Sequence, residues 1–346
     1  MFNDENQAAK IHLSRIHRGL QMLSTLVNVP SVSVVIPAFN AAGTIKETID
    51  SVLEQSCQDF EIIVVNDNST DSTEAIVKEY GDPRIKLLAH KAGSASKSRN
   101  KGVQNASGKY IAFLDADDVW LPTKLEMQLQ ALQAVSTAKV AYCWVDCIDE
   151  ASKFLRKSNR FSESGDVYEE MLVHNFLGNG SNPLILKETF SDIGGFDESL
   201  PNAEDWDLYL KLAQDYHFAA VPSALVLYRI SYSSKSFKNL LKSEASYSKL
   251  MAEACSRRPD SAQILVRKGF PGYYEYIIRK ALKNPYGGQQ RIVAFKLLFR
   301  FIAKRLGLLS NIQTKAKLFR LVVNSFKPKF SVKKRLRKTL LNFKGS

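Results

Sequence analysis

What most limits the fold of this chain is a rhythm running from residue 32 to residue 132. Short β-branched runs alternate with amphipathic stretches. Val32 to Ile36 (VSVVI) is closed by Pro37, and residues 43–56 then place Ile45, Ile49, Val52 and Leu53 on one helical face. Glu61 to Val65 (EIIVV) ends at Asn66-Asp67, after which Asp71-x-x-Glu74 reads as a capping box for a helix reaching about Tyr80. Residues 84–89 form a third strand, 94–106 a helix of small residues and 109–114 a fourth strand. Pro122 then suits the first turn of a helix with Leu125, Leu129 and Leu132 on one face. Strands separated by helices pair in parallel through crossovers. The rhythm therefore predicts an α/β fold, a mostly parallel central sheet with helices on both faces. Residues 139–143 and FAAVPSALVLYRI (218–230) add strand-like runs, while 150–178 has no clear period and no internal repeat occurs.

Charge divides the chain in two. Residues 1–232 carry 21 Lys+Arg against 31 Asp+Glu, whereas residues 233–346 carry 27 against 4. With 346 residues, one core and appended elements fit best. We expect a helical lead-in over 1–30 (Ile11, Ile16, Leu20, Leu23), an α/β body over 31–232, and a basic, mainly helical region over 233–346. No run approaches the roughly 20 apolar residues of a membrane span. The N-terminus, MFNDENQAAK, lacks a secretory layout, so the expected location is cytoplasmic, at most peripheral on the inner face of a membrane. Cys57, Cys143, Cys147 and Cys255 are too few and too irregular for a zinc site and read as reduced thiols.

The strand ends carry the chemistry. The apolar run Tyr110 to Leu114 ends in Asp115, Asp117 and Asp118, three mutually repelling carboxylates. In an open α/β sheet this end faces the ligand crevice, which Asn66-Asp67 shares. Hard oxygen ligands suit Mg²⁺ or Mn²⁺ shared with a substrate diphosphate; a solvated turn is the plainer alternative. Asp67 would accept from a nucleobase N–H or simply cap the next helix. Arg99 would neutralise phosphate or be merely solvated. Glu204-Asp205 opens a helix, where the dipole favours carboxylates. The preceding GGFDESLPN, rich in residues that bend the backbone sharply, suggests a ligand as well.

Taken in order, SVSVVIPAFNAAGTIKETIDSVLEQS, VVNDNSTDST, SRNKG, ASGKYIAFLDADDVWLPTKLE and GGFDESLPNAEDWDLYLKLA with its later LYR span residues 31–230. In these motifs the chain resembles glycosyltransferase family 2, of the GT-A fold. The resemblance implies that Asp67 lies on the uracil side of a donor, that Asp115 and Asp117 contact donor ribose and metal, and that Asp205 is the catalytic base. It implies donor contacts for Pro37 and Arg99 as well, with Glu204 and Asp118 as secondary candidates. Two departures stand out: Asn66-Asp67-Asn68 where the family commonly has two aspartates and a glycine, and Lys211 where it often has arginine.

The implied activity is inverting transfer of a sugar from a nucleotide-diphosphate sugar, expected to be a UDP-sugar, to an acceptor hydroxyl, with Mn²⁺ or Mg²⁺ as cofactor. The acceptor would be a carbohydrate or lipid-linked, as in cell-surface polysaccharide or glycolipid assembly. Two alternatives remain: a metal-dependent sugar nucleotidyltransferase, and a catalytically inactive nucleotide-sugar or membrane-binding protein. In residues 291–305, Ile292, Phe295, Leu298, Phe299 and Ile302 share one side among Arg291, Lys296, Arg300, Lys304 and Arg305. That pattern suggests docking on an anionic membrane surface, with a merely solubilising face as the plainer alternative, rather than binding nucleic acid, for which no recognisable reading module is present.

Overall fold

The computed structural model describes residues 29–91, 93–158, 160–231, 240–283 and 288–305. Nearly all of the expected N-terminal lead-in, and the basic run at 333–338, lie outside the described residues. The body opens with β1 (Val32–Ala38), α1 (Ile45–Leu53), β2 (Phe60–Asn66), α2 (Thr73–Lys78), β3 (Ile85–Ala89), α3 (Ala95–Gln104) and β4 (Tyr110–Phe113). It continues with β5 (Val119–Trp120), α4 (Lys124–Ala134), β6 (Ala138–Ile148), β7 (Phe154–Lys157) and α5 (Tyr168–Val173). Then come β8 (Leu184–Leu186), α6 (Lys187–Asp192), α7 (Glu204–Asp215) and β9 (His217–Arg229). The described C-terminal helices are α8 (Leu240–Arg257), α9 (Phe270–Lys283) and α10 (Gly288–Arg305), with tight helical turns over 259–269 between the first two.

One sheet organises the body, in the order β3-β2-β1-β4-β8-β6-β9-β5, with β7 added alongside β6. Alternate side chains of each strand supply opposite cores. Val32, Val34 and Ile36 of β1 join Ile62 and Val64 of β2 under α1, α2 and α4, while Val35, Ile63 and Val65 face α3, in a cluster that extends to the C-terminal helices. Each such side chain contributes roughly 1.5–3 kcal/mol through burial. The strands β3, β2, β1 and β4 pair in parallel, as do β6 and β9. The expectation of a mostly parallel sheet needs refinement on the other side, where β8, β7 and β5 run antiparallel to their neighbours. The chain enters β8 from a loop already at the carboxyl edge of the sheet, so it can only run back.

Three local expectations change. The capping box does not close: Asp71 accepts from the Thr73 N–H, but Glu74 instead receives the Asn66 side-chain amide and pairs with Lys78. Residues 150–178, unreadable by period, form the β6–β7 hairpin and α5. The proposed apolar side of α10 is split, with Leu298 packing inward beside Ala294, Leu297 and Phe301 while Ile292, Phe295 and Phe299 lie exposed.

The C-terminal helices are no loose appendage. Tyr247, Leu250, Tyr274 and Phe301 share one hydrophobic cluster with Tyr168, Met171 and Trp206 of the body. Tyr247 stacks on Tyr273 at 3.6 Å and meets Trp206 at 5.1 Å. Buried Glu244 accepts from the Tyr274 hydroxyl and pairs with Arg300 at 2.8 Å. All four cysteines are free thiols. No described helix is long and apolar enough to cross a membrane.

Candidate active site

The parallel strands β1, β2, β4, β6 and β9 all end at the same edge of the sheet. Onto this edge come the loop after β4, the loop before β8, the first turns of α3 and the start of α7. Arg99 is the centre of the arrangement. It is buried on α3, donates from Nη2 to Asp115 at 2.5 Å, and brings Nη1 to 3.6 Å from Glu204. Its guanidinium also lies over Phe196, 5.2 Å from the ring centre. Burial opposes the charge, but Asp115 and Glu204 outweigh it, so the group is held firmly protonated. Room for the guanidinium comes from Gly180, where a Cβ would sit 2.9 Å from Nη2.

The three carboxylates of the opening motif have three different fates. Asp115 pairs with Arg99, and its backbone N–H donates to the Ser181 hydroxyl. Asp117 reaches solvent at the mouth of the crevice; the surrounding enclosure and the neighbouring Asp115 push its carboxyl up to about 6. Asp118 is fully buried, taking the Ser181 hydroxyl on one oxygen and the Arg229 N–H on the other. Its carboxyl is driven well above the usual range by burial and by its two neighbours. Both of its oxygens are thus engaged within the protein, and this secondary candidate lies enclosed beneath the crevice.

Arg229 fixes this loop from below. Its Nε donates to the Asp117 carbonyl at 2.6 Å, Nη1 to the Asp149 carbonyl at 3.1 Å and the Ser152 hydroxyl at 2.9 Å, and Nη2 to Glu47 at 2.6 Å. Thr44 and Thr48 of the α1 end donate to the carbonyls of Ala116 and Asp118. The backbone between the carboxylates is therefore held from several sides.

Asp205 lies in the first turn of α7, entered through Ala203 in a left-handed conformation at φ 64°. The bend expected in GGFDESLPN is present, with Gly194 at φ 76° and Gly195 at φ 68°. The Asn175 amide donates to Asp205 Oδ2 at 3.2 Å, and the Trp206 N–H to Oδ1 at 2.8 Å. Burial, then Glu204, raise its carboxyl to about 6, against the pull of the Trp206 N–H and Arg99. A half-enclosed carboxylate tuned towards neutrality has the character of a general base. Arg99, Asp115, Glu204 and Asp205 thus form one electrostatic group.

Asp67 directly follows β2, accepts from the Gly93 N–H at 2.9 Å and donates its own N–H to the Ala38 carbonyl. Partly buried Pro37 lies on β1, between the strands that deliver Asp67 and Asp115. Asn68, one of the departures, takes φ 58°, a value tolerable for the glycine common at that place. Lys211, the other, pairs within its helix with buried Asp207 at 2.6 Å. Among the described residues no group of three or more His, Cys, Asp or Glu side chains could cage a metal by itself.

Comparison with known proteins decides the family. The model for "Glycosyltransferase like family 2" matches residues 33–283, well over half of the chain. The chain belongs to that family. The chain is 40% identical over 187 residues to the uncharacterized glycosyltransferase RP339 of Rickettsia prowazekii, covering 53% of the chain and 58% of that relative. It is 34% identical over 215 residues, 60% of the chain and 82% of the relative, to the Escherichia coli UDP-Glc:alpha-D-GlcNAc-diphosphoundecaprenol beta-1,3-glucosyltransferase WfgD. The chain therefore spans little more than half of the Rickettsia relative. Its fold matches the crystal structure of Staphylococcus aureus TarS residues 1–349 with a TM-score of 0.56 at 16% identity, over 86% of this chain and 91% of that one. The GT-A architecture is thereby established.

Sequence reasoning missed four residues of the candidate site: Asn100, Asn175, Ser181 and Arg229. Asn100 holds the bend before α7, donating to the Phe196 carbonyl at 3.0 Å and accepting its N–H at 3.1 Å. Only Asn100 and Arg229 had a signal, as parts of SRNKG and LYR. Asn175 and Ser181 lie in the stretch between recognised motifs.

Proposed function

We propose that this glycosyltransferase moves a sugar from a UDP-sugar to a hydroxyl of a lipid-linked or carbohydrate acceptor, with inversion. The observation that carries the reading is a carboxylate raised to about 6, Asp205, sharing one electrostatic group with Arg99 and Asp115 at the carboxyl edge of the sheet. Asp205 would accept the acceptor hydroxyl's proton as that oxygen bonds to the anomeric carbon. The bond from that carbon to the diphosphate oxygen breaks on the opposite face, so an α-linked donor gives a β-linked product. Asp67, at the neighbouring strand end, would face the base.

The carboxylates fit a divalent cation. Asp117 is accessible, made of hard oxygen, and its raised pKa is what an ion beside it and Asp115 would relieve. Mn²⁺ or Mg²⁺, when bound, supplies charge neutralisation on the leaving diphosphate. The E. coli relative, named for UDP-glucose and a diphosphoundecaprenol acceptor, supports the donor and acceptor classes, and solved TarS complexes contain UDP and UDP-GlcNAc. A lipid-carried acceptor accords with peripheral docking of the basic C-terminal region at the inner face of an anionic membrane. Exposed Ile292, Phe295 and Phe299 beside Lys296 support that docking.

The deciding experiment incubates the protein with a panel of nucleotide-sugars, with Mn²⁺ and with excess chelator. Metal-dependent release of nucleoside diphosphate is the expected result. Free diphosphate would indicate nucleotidyl transfer instead, and thermal stabilisation without hydrolysis of any donor would indicate an inactive binding protein.

A further inference from the structure

The β6–β7 hairpin presents an unusual surface beside the site. β7 pairs only with the end of β6, Asp146 with Lys157 and Cys147 with Arg156, and all four of its residues are exposed. Phe154 is 60% and Leu155 49% exposed. Around them lie exposed Lys153, Arg156 and Lys157, while the acids of the hairpin and its surroundings are largely engaged: Asp146 pairs with Arg160, Asp149 caps the turn and Glu47 bonds Ser152 and Arg229, which leaves Glu150 as the exposed acid at the start of the turn. Cations on an edge strand ordinarily guard against aggregation. That reason does not extend to a phenylalanine and a leucine among them, which are themselves the hazard.

The hairpin is closed by its own hydrogen bonds and tied to the candidate site. Asp149 Oδ1 accepts from the N–H groups of Ala151 and Lys153, both at 2.9 Å, which closes the turn. Arg229 binds the Asp149 carbonyl and Ser152 while holding the Asp117 carbonyl through the same guanidinium. Phe154 pairs with Ile148, the last residue of β6, and so stands at the edge where the crevice opens.

We infer that this hairpin is a docking element for an anionic lipid bilayer, with Phe154 and Leu155 entering the interface and Lys153, Arg156 and Lys157 meeting lipid headgroups. The charge complementarity selects the surface, and the preformed turn lowers the ordering cost of binding. Docking here holds the mouth of the crevice, with Asp117, against the membrane. The choice of a lipid surface rests on the proposed lipid-carried acceptor, but the test below needs no turnover, so the two ideas fail separately.

The full chain carrying Phe154→Trp is titrated with vesicles of phosphatidylglycerol and of phosphatidylcholine. The three native tryptophans are subtracted using the unsubstituted protein. A blue-shifted emission, quenched by brominated lipid, is expected with the anionic vesicles only. In sedimentation, Phe154→Ser with Leu155→Ser should weaken binding about tenfold or more and leave soluble-donor hydrolysis unchanged. An unshifted emission while the protein sediments would overturn the inference by placing the contact elsewhere, as would absence of binding. A native dimer in light scattering that the serine pair dissociates would overturn it too, by assigning the edge to a second copy.

Discussion

At the scale of single residues, the site stores its reactivity in carboxylates that burial has made costly to ionise. Asp205, with its carboxyl at about 6, holds its proton more readily in the folded chain than in the unfolded one. Stability it contributes is therefore present in acid and lost as pH rises through about 6, the interval over which Asp205, in its proposed role, would become competent as a base. Asp205→Asn should lower the transfer rate about 10²–10⁴-fold. At pH 7.5 it should also raise unfolding stability by about 1 kcal/mol, since the charge it removes was poorly solvated. Steady-state kinetics and urea titration of the same protein check both, and wild-type turnover would remove Asp205 from its role. For the unsubstituted enzyme, kcat/KM should fall as pH drops below about 6. Lys124 behaves in the opposite sense. It is fully buried over Trp120, bonded to Gln128, and burial lowers its pKa to about 7. Between pH 7 and about 10 the unfolded chain binds the extra proton, so stability should rise with pH across that window. Lys124→Met should flatten this slope in unfolding curves taken at pH 7, 8 and 9.

At the scale of elements, what could be read in advance was what repeats or what recurs in a family. The strands β1, β2 and β4 announce themselves because both faces are covered, leaving unbroken apolar runs. Asp205 and Asp117 could be named because each belongs to a motif of fixed order. Asp118 could not be separated from Asp117 by reading alone: adjacent residues of one turn face opposite ways, and only Ser181 and Arg229, distant in sequence, show which is enclosed. β8 and β5, of three and two residues, carry too little pattern to detect. The periodicity of α10 was real, but a helix period does not say which arc meets the core. Arg229 joins elements that no local pattern connects, namely α1, the carboxylate loop and the β6–β7 turn. Arg229→Lys keeps the charge but loses the planar fork, and should cost about 3 kcal/mol in stability. It should also weaken donor binding through a looser Asp117 backbone. Unfolding midpoint and donor titration measure the two effects, and an unchanged donor affinity would confine Arg229 to a purely structural role.

At the scale of the whole molecule, the acidic body and the basic C-terminal helices form one core despite their opposite charges. Removing residues 240–346 would uncover Tyr168, Met171 and Trp206, and the shortened body should be recovered only as insoluble protein. A soluble product with a sharp unfolding transition would refute this continuity. The distances in sequence between the partners at the carboxylate loop have a further consequence, for the birth of the protein. Asp115 awaits Ser181, 66 residues downstream, and the Asp117 carbonyl awaits Arg229, 112 residues downstream. On a ribosome the parallel strands, and the Arg99–Asp115 pair, can therefore form long before the carboxylate loop is braced by its later partners. Until Arg229 has left the exit tunnel, the emerging chain carries a crowded acidic tip on an otherwise sticky sheet. Exposed apolar surface and unpaired strand edges are what make partly made chains prone to aggregate, so completing this loop closes a vulnerable interval of synthesis.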